Sequence, residues 1–206
     1  VPKSLSQTEI DDFRTRLIAV AERLFVEQGR DAVSMRQLAQ ALGVSVMTPY
    51  RYFKDKDDIL AATRASGFDR FAEALETAYD SVNDPVQRAR MVGDAYLKFA
   101  FENPSAYRLM FDLTQPNEEN YPELARAGER ARKTMSAYVE CLLGAGQLVG
   151  EPEIIAHVCW AAIHGLVVLK LADKIAPHIG FDRLWQEMQR ALNVGFGPQN
   201  RLTAAA

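Results

Sequence analysis

Ser34-Met-Arg-Gln-Leu-Ala-Gln-Ala-Leu-Gly-Val-Ser-Val-Met-Thr-Pro-Tyr-Arg-Tyr-Phe53 carries more structural instruction than any other part of the chain. Serine at an N-cap with Gln37 three residues on lets each side chain satisfy the other's exposed backbone donor, so a helix starts at Ser34. It turns Met35, Leu38, Ala39 and Leu42 inward and ends at Gly43, the residue type best able to take the left-handed turn that closes a helix. Ser45 restarts a helix two residues later. The result is two short helices, 34–42 and 45–53, joined by a tight turn. Ala39 is small where they should cross closely, Gly43 lies at the turn, and Val44 follows to plug the core. These matched requirements describe a helix-turn-helix unit, whose second helix fits the major groove of DNA.

Working outward, Ile10, Phe13, Leu17, Val20, Leu24 and Phe25 recur at helical spacing and mark a preceding helix that Gly29 stops. Downstream, Asp55 and Asp58 can cap and charge-complement a fourth helix carrying Ile59, Leu60, Phe68, Phe71 and Leu75, which Asn83-Asp84-Pro85 breaks. Further helices are predicted over 85–102, 104–111, 122–143, 151–172 and 181–196, with a loop at 115–121 and a frayed tail at 202–206. No segment reads as a strand and no internal repeat is present. The fold class is therefore all-α with about nine helices: a three-helix helix-turn-helix domain at 8–55 and a helical bundle at 56–200.

Composition narrows the function classes. The 206 residues are 48% hydrophobic and 25% charged with a formal charge of −3, which fits a folded globular protein and excludes a basic DNA-coating one. Positive charge is local: residues 30–56 carry Arg30, Arg36, Arg51, Lys54 and Lys56 against Asp31 and Asp55, whereas residues 1–60 balance at nine of each sign. Cys141 and Cys159 are far apart without C-x-x-C spacing, which suits free thiols in a reducing compartment. The chain opens on Val1, which leaves its native start open. No leader-like run opens it and no stretch is expected to reach membrane-spanning length, so the expectation is a soluble cytoplasmic protein without membrane attachment. No cofactor, catalytic or metal site is expected. His157 and His164 are seven apart with Cys159 on a different face, which does not suit zinc, and Gly144-Ala-Gly146 precedes no phosphate-binding turn.

Ser34-Met-Arg-Gln-Leu-Ala, Leu42-Gly-Val-Ser and Thr48-Pro-Tyr-Arg-Tyr-Phe-Lys-Asp-Lys-Asp, together with Leu24-Phe25 and Gly29, resemble the TetR family of regulators over residues 8–60. Asn103-Pro104, Tyr107-Arg-Leu-Met-Phe111, Trp160 and His164-Gly165 look like the subgroup with a Trp-His-Gly-type C-terminal domain. The resemblance implies a homodimeric repressor on palindromic double-stranded operator DNA, released by a small hydrophobic or aromatic ligand. Val46, Met47 and Thr48 would face base edges and Tyr50 and Tyr52 would meet phosphates, with Lys56, Ser34 and Arg36 as further phosphate candidates. Ser45 would cap the recognition helix and Arg51 would share in specificity. For Tyr52, covering the core with its ring is an equal alternative. Pro49 departs from the usual pattern; as the fourth helical position it should cost one backbone bond without breaking the helix.

The resemblance further implies pairing through the last two helices, where His157, Ala161, His164, Val168 and Leu171 form one stripe and Leu184, Met188 and Leu192 another. A ligand pocket would be walled by Phe99, Tyr107, Met110, Phe111, Tyr138, Cys141 and Trp160, though each could equally be core. The rival reading is a helical ligand- or protein-interaction module without DNA binding.

Overall fold

Capping chemistry sets most helix boundaries in the computed structural model, which describes residues 6–112 and 118–198. Helix α1 (Gln7–Gln28) opens with a reciprocal Ser6–Glu9 cap and closes at Gly29, whose φ is +81° and whose N–H reaches the Phe25 carbonyl. Helix α2 (Met35–Ala41) opens with the predicted Ser34–Gln37 cap. It closes with Gly43 at φ +67°, Gly43 N–H on Gln40 O at 3.1 Å and Val44 N–H on Ala39 O at 3.0 Å, the paired bonds of a Schellman turn. Helix α3 (Lys56–Asp80) starts where Asp58 N–H donates to Asp55 Oδ1, 2.9 Å. Helix α4 (Pro85–Glu102) is capped by Asp84 with Pro85 in its first turn, where a missing N–H costs nothing. Helices α5 (Pro104–Met110), α6 (Pro122–Gly144), α7 (Pro152–Leu171) and α8 (Phe181–Phe196) follow. The described residues contain eight α-helices and no strand. The predicted tail at 202–206 and part of the loop at 115–121 lie outside them.

The predicted helix at 45–53 is absent as such, which accounts for eight helices rather than nine. Only Pro49–Arg51 is helical, as a single 3-10 turn. Thr48 N–H donates to Ser45 O at 2.8 Å, Arg51 N–H to Thr48 O at 3.1 Å and Tyr52 N–H to Pro49 O at 3.0 Å, so the ladder runs at a three-residue step until Phe53 N–H reaches Pro49 O, also at 3.0 Å. The reason is Pro49. An α-helix here needs an N–H at position 49 bonded to Ser45 O, and proline has none while its ring crowds that carbonyl. The expectation that Pro49 would cost one bond and leave the helix standing was too lenient for so short an element.

The chain folds as two compact units, Val1–Arg70 with Ser105–Glu129, and Phe71–Pro104 with Arg130–Ala206, and α3 runs from the first into the second. The first unit is built on Leu17, Leu38, Ile59 and Leu60, all wholly buried, with Phe13, Leu24, Phe25, Val33 and Phe53 around them. Each such side chain stabilises the fold by roughly 1.5–3 kcal/mol. In this unit Arg64, buried to 4% exposure, closes the end of α5: Nε and Nη2 donate to the Leu109 and Met110 carbonyls at 3.1 Å each, and Nη2 pairs with Glu118 at 2.8 Å. Desolvation pulls its pKa below the ordinary guanidinium value, and Glu118 and Asp112 oppose that pull.

In the second unit Phe71 meets Tyr96 and Phe99 edge-on, with centroids 5.1 and 5.3 Å apart, and Val139, Leu142, Leu148, Ile155 and Ala156 form a further buried cluster. Helix α7 packs on α4 and α8. An 18-residue window of this 20-residue helix reaches a mean hydropathy of 1.9, long and apolar enough by composition to cross a membrane, so the expectation that no stretch would reach that length is corrected. Alternating apolar and polar faces would have kept the value lower. Here Ile155, Ile163, Leu166 and Val167 are buried while Ile154, Val158, Val168 and Leu169 are exposed, so more than one face is apolar.

Candidate nucleic-acid interface and ligand cavity

The turn after Gly43 presents side chains to solvent that a lone domain would ordinarily bury. Met47 is 66% exposed, Tyr50 47% and Val46 45%, while Pro49 beneath them is buried. Ser45, Arg51 and Arg36 are exposed beside them and Thr48 is half-buried. The local cause is the Schellman turn: it sends Val44 back against the first unit's core and leaves the following residues facing outward.

Other candidates are more committed. Tyr52 stacks on Phe13 with ring centroids 4.4 Å apart and 28° between planes, and its carbonyl accepts from Arg14 at 3.2 Å. Its ring therefore covers the core. Ser34 donates its hydroxyl proton to Gln37 Oε1 at 2.8 Å, leaving no spare hydroxyl donor for a phosphate oxygen. Lys56 Nζ donates to the Arg30 carbonyl at 2.7 Å, and Arg30 forks onto Asp57 at 3.1 and 2.9 Å, which raises the Arg30 pKa. Two of the five basic residues at 30–56 are thus engaged in fixing the start of α3. Among the described residues Arg36, Arg51 and Lys54 make no ion pair and are exposed, so the usable positive charge lies on either side of the turn. Lys54 was not among the expected contacts, although its charge was visible in the sequence.

The second unit holds a cavity of about 740 Å³, within the range of small-molecule sites. Of the residues proposed for a ligand pocket, Tyr138 and Trp160 line this cavity, together with Tyr96, Met135, Cys159 and Trp185. Burial raises the Tyr138 phenol well above its ordinary 10.0, and the adjoining Cys159 thiol is raised too, its hydrogen bond with Tyr138 opposing that shift. Both are neutral walls at neutral pH. Phe99 and Cys141 do not line the cavity; Phe99 packs on Phe71, and Cys141 Sγ lies 3.9 Å from Arg88 Nη1. Tyr107, Met110 and Phe111 belong to the first unit, where Tyr107 meets Phe111 at 4.9 Å and Met110 fills the space above Gly67. Trp185 was missed, although it sits beside Leu184 on the apolar stripe of α8.

Of the expected pairing residues, His157, Ala161 and Val168 are exposed, and His164, Leu171, Leu184, Met188 and Leu192 are half-buried. His157 Nδ1 lies 2.7 Å from the Glu153 carbonyl oxygen, and desolvation lowers the His164 pKa from 6.5.

Comparison with known proteins agrees with this geometry. Residues 17–63 match the family described as bacterial regulatory proteins, tetR family, and residues 89–192 match the tetracyclin repressor-like C-terminal domain. The chain is 28% identical over 109 residues to the HTH-type transcriptional activator FasR of Mycolicibacterium smegmatis, covering 52% of this chain and 50% of that one. It spans about half the length of the curated relatives it matches. A Rhodococcus sp. RHA1 protein of unknown function superposes with a TM-score of 0.77 at 27% identity, over 95% of this chain and 98% of that one. A putative tetR family transcription regulator from Shewanella sp. PV-4 superposes at 0.71 with 17% identity, over 89% and 97%, and supports the fold alone.

Proposed function

Because the chain belongs to the TetR family of DNA-binding transcription regulators, we propose that it is a homodimeric repressor that reads a palindromic operator and leaves it when a small apolar ligand fills the cavity of the second unit. Residues 8–55 bind DNA and residues 56–200 sense and pair. The observation that carries the reading is the solvent-facing trio Val46, Met47 and Tyr50 standing over a finished core. Neither Val46 nor Met47 can hydrogen-bond a base, so they meet thymine methyl groups, and Thr48 supplies a hydroxyl. Tyr50, Arg51, Arg36 and Lys54 hold phosphates, and DNA shape contributes the remaining selectivity.

Pairing uses the exposed side of α7 together with α8, because a helix apolar on more than one face needs more than one partner. A second copy related by a two-fold axis supplies that partner and sets two half-sites on the DNA. The covalent run of α3 from one unit into the other gives ligand binding a path to the DNA-facing turn. The cytoplasmic setting belongs to the same reading. One relative is named an activator, so the sign of regulation follows from where the operator lies relative to its promoter.

The test is anisotropy titration of a selected duplex with the full chain and with Tyr50→Ala/Arg51→Ala. The double variant loses affinity, and its salt slope falls by about one, from the loss of the Arg51 cation, while the Tyr50 contact costs affinity without changing the slope. An interaction module without DNA binding would show no difference between the two proteins.

A further inference from the structure

The cavity's charge inventory is one-sided. Among the described residues no aspartate or glutamate lines it, whereas Arg90 of α4 and Arg190 of α8 do. Arg190 is neutralised by Glu187, its Nε lying 2.8 Å from Glu187 Oε2. Arg90 makes no ion pair among the described residues, including with Asp94 one turn on. It is exposed, so it stands at the rim rather than inside. One turn further along α4, Gly93 lets the indole of Trp185 lie against the helix: a Cβ at 93 would meet the ring at 3.1 and 3.2 Å. The site thus pairs one cation without an ion pair with a lining of two indoles, two phenols, aliphatic side chains and a few uncharged amides.

Resting on the reading that this cavity is the ligand site, we infer that its ligand is an apolar molecule carrying a single carboxylate, the body lying against Trp160, Trp185 and Tyr138 and the carboxylate pairing with Arg90 at the rim. A cationic ligand finds no counter-charge here and would meet Arg90 as a like charge. A neutral apolar molecule gains the same burial but forgoes a charge-assisted hydrogen bond. The apolar body has two sources, an acyl chain or an aromatic ring system, and the recognition chemistry is shared.

The only two tryptophans in the chain both line the cavity, so intrinsic fluorescence reports its occupation directly. The experiment titrates the full chain with dodecanoate, 2-naphthoate, dodecanol and dodecyltrimethylammonium below their micellar ranges. At least one acid binds more tightly than the alcohol, the cation binds worst, and the tighter acid identifies the body. Arg90→Gln weakens acid binding about tenfold and leaves the alcohol unchanged. Gly93→Val, which displaces the Trp185 ring, weakens acid and alcohol alike and so locates both in the cavity. Alcohol binding as tight as acid binding, or acid binding indifferent to Arg90→Gln, overturns the carboxylate assignment while leaving the cavity as the ligand site. No fluorescence response to any of the four probes overturns both.

Discussion

The turn at 45–51 and the outer side of α7 both leave large apolar side chains in water, but on different scales. At the turn the exposed group is Val46, Met47 and Tyr50, within five consecutive residues on a tip held by a Schellman turn behind and a proline beneath. On α7 it runs from Ile154 and Val158 to Val168 and Leu169, along most of a 20-residue helix. Scale separates the occupants. A tip a few side chains wide suits the proposed DNA groove, whereas a face several turns long suits the proposed pairing with a second copy. Charge separates them too: Arg36, Arg51 and Lys54 border the tip, while α7 has only Lys170 near its apolar end.

The largest effect should come from putting a charge into the long face. Val168→Glu leaves a carboxylate unpaired in the proposed interface and shifts the dimer to monomer at micromolar concentration by sedimentation velocity, a loss of about 2 kcal/mol or more. Operator binding falls with it. A variant that stays dimeric would remove α7 from the interface.

Next, the tip can be divided into reading and holding. Val46→Ala with Met47→Ala relaxes sequence preference by roughly 1 kcal/mol at each thymine-contacting position, the worth of a buried methyl contact, and leaves the salt slope unchanged. Arg51→Ala lowers the slope and weakens selected and unselected DNA alike. If both variants act on the salt slope alone, the apolar tip is not a base reader.

A smaller effect is expected from Pro49→Ala, which returns an N–H to the Ser45 carbonyl. It should convert the 3-10 turn into a short α-helix worth about 0.5–1.5 kcal/mol locally, seen as a protected amide at position 49 in hydrogen exchange. Because the tip is then re-aimed, operator preference changes even though no contact residue has been replaced.

The smallest effect is the pH response of the long face. His164 has a pKa lowered by burial within its own chain, so the unfolded chain takes up a proton more readily than the folded one. Stability is therefore complete above about pH 6.5 and declines as pH falls below it, the reverse of a histidine held by a carboxylate. His164→Gln should flatten the decline in melting temperature between neutral pH and pH 5.

What the sequence made legible follows the same division. Helix ends were readable wherever a cap is local chemistry, as at Ser34–Gln37, Asp55–Asp58, Asp84–Pro85 and Gly43, because both partners lie within a few residues. Pro49 was legible as an irregularity, but its consequence was misjudged because the element is too short to absorb a missing bond. Side-chain commitments were not readable where the partner is distant. Lys56 on the Arg30 carbonyl and Arg64 on the end of α5 depend on how the chain returns on itself. For the same reason the aromatic residues proposed for one pocket divide between two units: hydrophobicity identifies Tyr107 and Tyr138 as inward-facing but not which interior each faces.

The central claim is that the short apolar tip, doubled by pairing, reads a specific DNA sequence. Selection of the purified chain against a random-sequence duplex library, with the selected DNA retitrated across salt concentrations, tests it most directly. The expected result is enrichment of a palindrome with two half-sites and an affinity advantage over random DNA that survives added salt. Binding that fades with salt and enriches no sequence would contradict it.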